Sequence, residues 1–273
     1  MSNDLTRTLA ALQSLAPLEL AAPWDNVGLL LEARDARAPV ERIALTIDLT
    51  EPVLAEARAW GAQLIVAYHP VIFSGLKHIT RANATGRILL DAVEAGVAIY
   101  SPHTALDAVP GGVNDWLLDT VGPMDERAVV EPPPPAFAGT GPAGMGRTGR
   151  LSTPAPLPAL SAHIKVGLGL THVRVASAPA HASGSPIETV AVCPGAGGGL
   201  FESVGDVDLL LTGEMRHHDV LARVARGTSV ILTDHTQCER GFLGGFAETL
   251  AGALSGEVEV RVSAVDGDPL VTV

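Results

Sequence analysis

Four short histidine-bearing segments constrain this chain more than any other feature. They are LIVAYHP at 64–70, YSPHTALD at 100–107, TGEMRHHD at 212–219 and TDHTQCE at 233–239. Three of them directly follow a short apolar run that reads as a strand. His69, His103 with Asp107, and His235 with Glu239 therefore fall just past strand C-termini. In an open parallel α/β sheet, that edge is where ligands and catalytic groups collect. Imidazoles and carboxylates arriving there from distant stretches of chain form the pattern a metal site needs.

The pattern of strands and helices supports that placement. A helix is expected over 3–15, with Asn3 or Asp4 near its cap. PWDNVGLLLE at 23–32 combines turn chemistry in DNVG with a strand in GLLLE. ERIALTIDL at 41–49 is a buried strand, and Thr50, Glu51 and Pro52 open a helix reaching about Trp60. GAQLIVAYHP returns as a strand. TGRILLDAVEAG at 85–96 is a helix with Gly96 past its end, VAIYS is a strand, and GGVNDWLLDTVG at 111–122 is a glycine-capped helix.

Residues 127–149 are Pro- and Gly-rich without an apolar period and read as a connector or poorly ordered loop. Beyond it, 154–169 reads as a helix, 171–177 as a strand, APAHASGSP as a turn and 188–195 as a buried strand. Residues 41–69 run strand, loop, helix, strand, histidine, and residues 206–235 repeat that order. The expected fold is α/β: two related halves with mixed or parallel sheets, facing each other around a central metal site. The expected spans are 1–126 for the N-terminal half, 127–187 for a connector with a short helix and strand, and 188–273 for the C-terminal half.

Bulk properties narrow the function classes. The 273 residues are 47% hydrophobic but only 4% aromatic, so the core is built from Leu, Val, Ile and Ala. The formal net charge of -12 and the absence of a Lys/Arg run disfavour a general nucleic-acid role. No uncharged apolar run reaches the ~18 residues of a membrane span. The opening residues read as a capped amphipathic helix rather than a leader. The two cysteines, Cys193 and Cys238, form no CxxC pair, so free thiols in a reducing cytoplasm are expected.

Each candidate has a structural alternative. His69 alone would be a hydrogen-bonding histidine; its company makes it a ligand. Asp107 either caps the helix near Gly112 or ligates metal, with two oxygens able to span two ions. His103 is a ligand, an outer-shell orienter or a substrate contact. His235 and Glu239, four apart, share one face if a helix starts near Thr236, an arrangement that suits one ion. Cys238 would lie ~100° around such a helix and is treated as a neighbour. Glu214, His217, His218 and Asp219 form either a solvated first turn or a segment with one histidine facing the site. GAGGG at 195–199 fails both familiar nucleotide patterns and reads as a close strand-to-helix turn. GxSxG is missing, which argues against a serine hydrolase.

At these residues the chain resembles the Nif-three-like family of dinuclear metal-centre proteins, homologues of type-two GTP cyclohydrolase I. The resemblance rests on PWDNVGLLLE, LIVAYHPVIF with LKHIT, YSPHTALDAVPGGVNDWL, LLTGEMRHHD and DHTQCERGFL, in that order along nearly the whole chain. It implies two interlocked α/β halves and a ring-like homohexamer. It also implies one or two divalent ions per subunit (Zn, Fe or Mn), held by His69, Asp107, His235 and Glu239. Tyr68 stands where many members carry a second histidine, which bears on the second ion. The expected activity is metal-dependent hydrolysis of a small molecule, with a purine nucleotide as the family-level guess. His103, His217 and His218 are the candidate proton shuttles. The alternative is a non-catalytic metal-binding scaffold or regulatory oligomer.

Overall fold

The computed structural model describes residues 3–133 and 142–272. In chain order it begins α1 (Leu5–Leu15), β1 (Gly28–Leu31), β2 (Arg42–Thr46), α2 (Glu51–Trp60), β3 (Leu64–Ala67), α3 (Ala84–Ala95), β4 (Ala98–Ser101) and α4 (His103–Ala108). It continues α5 (Val113–Asp119), β5 (Met124–Glu131), β6 (Met145–Pro156), α6 (Leu157–Leu168), β7 (Arg174–Ala176), α7 (Pro179–Ala182) and β8 (Pro186–Cys193). The last elements are β9 (Leu209–Thr212), α8 (His217–Ala225), β10 (Ser229–Leu232), α9 (Phe242–Ala253) and β11 (Glu259–Val262). Among the described residues no helix is long and apolar enough to cross a membrane.

Helix ends follow local chemistry. Asp4, Thr50 and Asn83 each accept a backbone N–H from the first turn of α1, α2 and α3. Gly61 and Gly96 close α2 and α3 in the left-handed conformation.

The chain forms two compact units, Met1–Leu106 with Phe242–Val273, and Asp107–Gly241. In the first unit the sheet order is β1-β4-β3-β2-β11. β1 is antiparallel, and β4, β3, β2 and β11 are mutually parallel. The central strands are buried on both faces, which is why they read as continuous apolar runs. Ala44, Ile65, Ala67 and Ile99 pack against Val53 and Leu54 of α2 and Ile88 and Leu89 of α3. Ile43, Leu45, Leu64 and Val66 alternate onto the other face and are equally buried. Burying a Leu or Ile of this kind stabilises by ~1.5–3 kcal/mol.

The second unit carries the order β5-β6-β8-β9-β10-β7, with β8, β9 and β10 parallel and the outer pairings antiparallel. One face of β8 to β10 (Val190, Val192, Leu209, Leu211, Ile231) is covered by α5 and α6. The other (Ala191, Cys193, Leu210, Val230, Leu232) is covered by Phe201 and Val204. The mixed α/β class and the paired halves read from the sequence are present. β2-α2-β3 and β9-α8-β10 are the same unit, each a parallel strand pair joined by a helix.

Several expectations need correction. Residues 124–131 and 145–156 are not a connector but antiparallel strands, paired for example Val129 with Arg147. Residues 134–141 of that expected loop lie outside the described residues. The strand signal was hidden because Gly144 and Gly146 occupy positive φ and Arg147 replaces an apolar core residue. Arg147 is 1% exposed, and its guanidinium donates to both Asp115 oxygens at 2.8 and 2.9 Å and to the carbonyls of Gly144, Gly146 and Val109. A fully satisfied buried cation defeats any reading by hydrophobic period. The helix read over 154–169 starts only at Leu157, because β6 runs to Pro156. APAHASGSP contains the short helix α7 rather than a turn alone. The compact units also depart from the three spans read in the sequence. The C-terminal α9 and β11 return to the first sheet, where β11 pairs with β2. The stretch read as a connector supplies β5 and β6 to the second.

Candidate metal centre

In each unit, three adjacent parallel strands deliver polar groups past their carboxyl ends. In the first unit these are Asp48 after β2, His69 after β3 and His103 after β4. In the second they are Glu214 after β9 and His235 after β10, with the bare backbone of Gly195 after β8. This is the edge where open α/β sheets place ligands.

In the first unit His69 Nδ1 lies 2.9 Å from Asp48 Oδ1. A carboxylate at that distance accepts the Nδ1 proton and sets the tautomer with its lone pair on Nε2. A carboxylate behind an imidazole is the usual support of a metal-ligating histidine. Tyr68 is buried, and its ring packs 5.1 Å from that of His69 and edge-on at 5.5 Å from that of His103. The tyrosine in place of a second histidine therefore stands as a packing surface for both imidazoles.

His103 is held in the same way. Its Nδ1 is 2.7 Å from Asp25 Oδ1, and the other Asp25 oxygen accepts from the Thr104 backbone N–H and hydroxyl. Burial pushes the Asp25 carboxyl up, but the hydrogen bonds from His103 and Thr104 and the His103 charge outweigh it and hold the group below its ordinary value. These bonds keep His103 at a φ of 26°, a strained conformation costing ~1–3 kcal/mol for a non-glycine residue. The His103 ring stands 5.4 Å from that of His69 at 83°.

In the second unit His235 Nδ1 lies 2.8 Å from Glu214 Oε1, and Nε2 lies 3.7 Å from Glu239 Oε1. The expected helix here is a single 3-10 turn, Thr236–Cys238, and it still brings His235 and Glu239 together. Two ligands of one zinc ion, each bonded at ~2.0–2.2 Å, stand about this far apart. Gly195 explains the glycine at the end of β8. A Cβ there would sit 2.7 Å from Glu239 Oε1 and 2.9 Å from His235 Nε2, and its φ is +60°. The donor atoms thus face a space that any side chain on Gly195 would fill. Cys238 is structural, its sulfur accepting the Gly195 N–H at 3.2 Å.

Asp107 is buried at the end of α4, and Asn114 Nδ2 donates to its backbone carbonyl at 3.2 Å. Burial pushes the Cys193 thiol well up, and the charges of Asp107, Cys238 and Glu239 push it further. Asp107 and Glu239 are both buried carboxyl groups of the second unit. His217 and His218 start α8, exposed and stacked edge-on on each other at 5.5 Å. A pocket of about 420 Å³ beside them is lined by Ala196, Gly198, Gly199, Glu214, Arg216 and Asp219, not by either histidine. The glycine run leads from β8 into a short 3-10 turn, Leu200–Ser203, rather than an α-helix.

Sequence reasoning missed Asp25, Asp48, Glu214 as a histidine partner, and Gly195. A usable signal existed. Asp48 precedes His69 by 21 residues, and Glu214 precedes His235 by 21 residues. The repeated strand-helix-strand unit carries its supporting carboxylate with it.

Two parallel-cored sheets with carboxylate-backed histidines at their carboxyl ends define an α/β protein equipped with metal-ligand chemistry. The chain belongs to the Duf34/NIF3 (NGG1p interacting factor 3) family, whose model matches residues 3–269. It is 40% identical over 269 residues to NIF3-like protein 1 of Drosophila melanogaster, covering 98% of this chain and 89% of that one. It is 40% identical over 277 residues to the NIF3 homolog of Schizosaccharomyces pombe, covering 99% of each. A Bacillus cereus protein related to NIF3 has the same fold, with a TM-score of 0.87 at 20% identity over the full length of both chains.

Proposed function

We propose that the protein is a metal-dependent hydrolase in which His235 and Glu239 of the second unit hold a divalent ion, with His69 and Asp107 as the further ligands that the family resemblance implies. The observation that carries this reading is the repeated carboxylate–histidine pair at the strand ends. Asp48 and Glu214 each fix an imidazole tautomer, and Gly195 keeps the space before His235 and Glu239 open. Imidazole and carboxylate donors suit zinc, iron or manganese. A bound ion of this kind supplies Lewis acidity and acidifies water towards neutral pH. Asp107 has two oxygens with which to serve a second ion.

His103 is the residue best equipped to move the proton. Asp25 accepts from Nδ1, so Nε2 takes a proton from the attacking water and returns it to the leaving group, as a general base and then acid. Asp25 stabilises the imidazolium formed in between. His217 and His218 are the outer candidates for the same task, working from the surface of α8. The substrate class carried by family likeness is a purine nucleotide opened at a C–N bond, and the assembly carried by it is a homohexamer.

The test is metal content and turnover together. Protein loaded with zinc, iron or manganese is assayed against purine nucleotides and phosphoesters, and metal is counted per chain. His235→Ala is expected to lose metal and turnover in parallel. Turnover that persists in metal-stripped His235→Ala protein ends the hydrolase reading. Full metal content with no turnover of any substrate favours the scaffold role instead. Sedimentation checks the hexamer independently.

A further inference from the structure

Trp24 and Phe73, from the motifs PWDN and HPVIF of the first unit, take no part in the chemistry above, yet they build one feature. Trp24 and Phe73 are 63% and 57% exposed, large apolar rings left in water. Their centroids are 6.1 Å apart with the planes inclined at 57°. Each ring also meets His103 edge-on, Trp24 at 6.1 Å and Phe73 at 6.5 Å. The three rings thus form an open corner with the His103 imidazole at its base.

Rings on surface loops usually wander, but these are held. The buried Asp25 carboxylate, next to Trp24, accepts from His103, from Thr104 twice, and from the Asn26 N–H at 2.7 Å. The Asn26 side chain in turn donates to the carbonyl of Ile72, the residue before Phe73. One buried anion and one cross-loop hydrogen bond therefore fix both aromatic residues relative to the histidine. Exposed yet pre-organised aromatics are costly in a free protein and are suited to a ligand that brings a ring of its own.

We infer that Trp24 and Phe73 form a stacking subsite for a planar heteroaromatic ring, which they present to His103. A ring stacked on one face meets the edge of the other, the arrangement aromatic groups prefer. This inference deepens the hydrolase reading by placing the ring of its substrate on named residues, and rests on that reading for what happens after binding; the stacking itself requires no metal. A small ligand is favoured over a second protein copy because the corner ends on a histidine already oriented by a carboxylate. The exposed Leu76 and Ile79 further along the same loop make a copy contact the competing outcome.

The experiment is calorimetric titration of the full chain, metal-free and zinc-loaded, with guanosine, adenosine and cytidine, using ribose as the control that lacks a heteroaromatic ring. The nucleosides are expected to bind and ribose not to. Trp24→Ala and Phe73→Ala are each expected to weaken nucleoside binding about ten-fold, as truncation of a stacking ring does. Trp24→Phe should restore most of the affinity. The rings are exposed, so unfolding midpoints should stay near wild type and report that the variants fold. The inference is overturned if the alanine variants bind as wild type, or if no nucleoside outbinds ribose. It is equally overturned if the variants change only the oligomeric state on sedimentation, which assigns the patch to a copy contact. His235→Ala separates the two readings: loss of metal with nucleoside binding intact leaves the subsite standing whatever becomes of the hydrolase.

Discussion

The two carboxylate–histidine pairs share a design and differ in setting. Asp48 with His69, and Glu214 with His235, sit at the ends of equivalent strands, 21 residues apart in each case. The first pair is the better shielded, with 37% and 21% side-chain exposure against 55% and 38% for the second. The first lies among rings, those of Tyr68 and His103. The second lies beside the buried carboxylate of Glu239 and under the bare backbone of Gly195. One repeated unit has thus specialised in two directions. The first half orients imidazoles and offers aromatic surface; the second sets one buried carboxylate, Glu239 at 3% exposure, beside a more open imidazole.

The largest expected effect breaks the second half. Gly195→Ala places a methyl within 3 Å of both donor atoms and strains a positive φ. We expect metal binding to be abolished, as measured by metal count after dialysis against a limited chelator, while circular dichroism stays native. Glu239→Gln removes the charge without the steric clash, and its loss of affinity should exceed the ~10–100-fold typical of an outer partner. Unchanged metal content in both variants would mean the space before Gly195 holds no ion.

A smaller effect ranks the two halves against each other. Asp48→Asn and Glu214→Gln each remove one supporting carboxylate, and each should weaken metal binding ~10–100-fold. Asp48 should cost more, because a less exposed hydrogen bond is less readily replaced by water. Competition titration with a chromogenic chelator reads both constants. If Glu214→Gln proves the worse, burial is not what distinguishes the pairs.

These partners also mark the limit of what the residues alone disclose. His69, His103, His235, Glu239 and Asp107 were legible because each follows an apolar run that reads as a strand or a turn. Their supports were not. Asp25 reads as turn chemistry, Asp48 as the tail of a strand and Glu214 as a solvated helix start. What they do depends on the loop packed beside them, which no local pattern records. The strand-helix-strand repeat was legible for the same reason the Thr50 and Gly96 caps were, since each acts within a few residues. β5 and β6 were not, because Arg147 and the glycines replace the alternation that would announce them. Gly195 read as turn chemistry, although its reason is two side chains more than thirty residues away.

The smallest expected effect concerns a fourth histidine–carboxylate pair, which serves as an internal control. His181 is buried with Nδ1 at 2.8 Å from Ser229 Oγ and Nε2 at 3.7 Å from Asp208 Oδ1, where β9 and β10 begin rather than where they end. Both nitrogens are engaged within the fold, so a ligand role is not open to it. Burial pushes the Asp208 carboxyl up. The N–H groups of Thr189 and Glu188, the Thr189 hydroxyl and the His181 charge outweigh it and leave the group below its ordinary 3.8. A carboxyl depressed on folding stabilises fully above its unfolded value, and that contribution is lost as pH falls through the lower folded value. Asp208→Asn should therefore cost stability at pH 7, by ~0.5–1 kcal/mol given its partial exposure. The deficit should shrink once the pH drops below about 3.8. Urea unfolding across that range measures it, with metal content expected to match wild type throughout. A variant that loses metal, or whose deficit grows in acid, would place Asp208 in a different role from the hydrogen-bonded strand anchor its geometry describes.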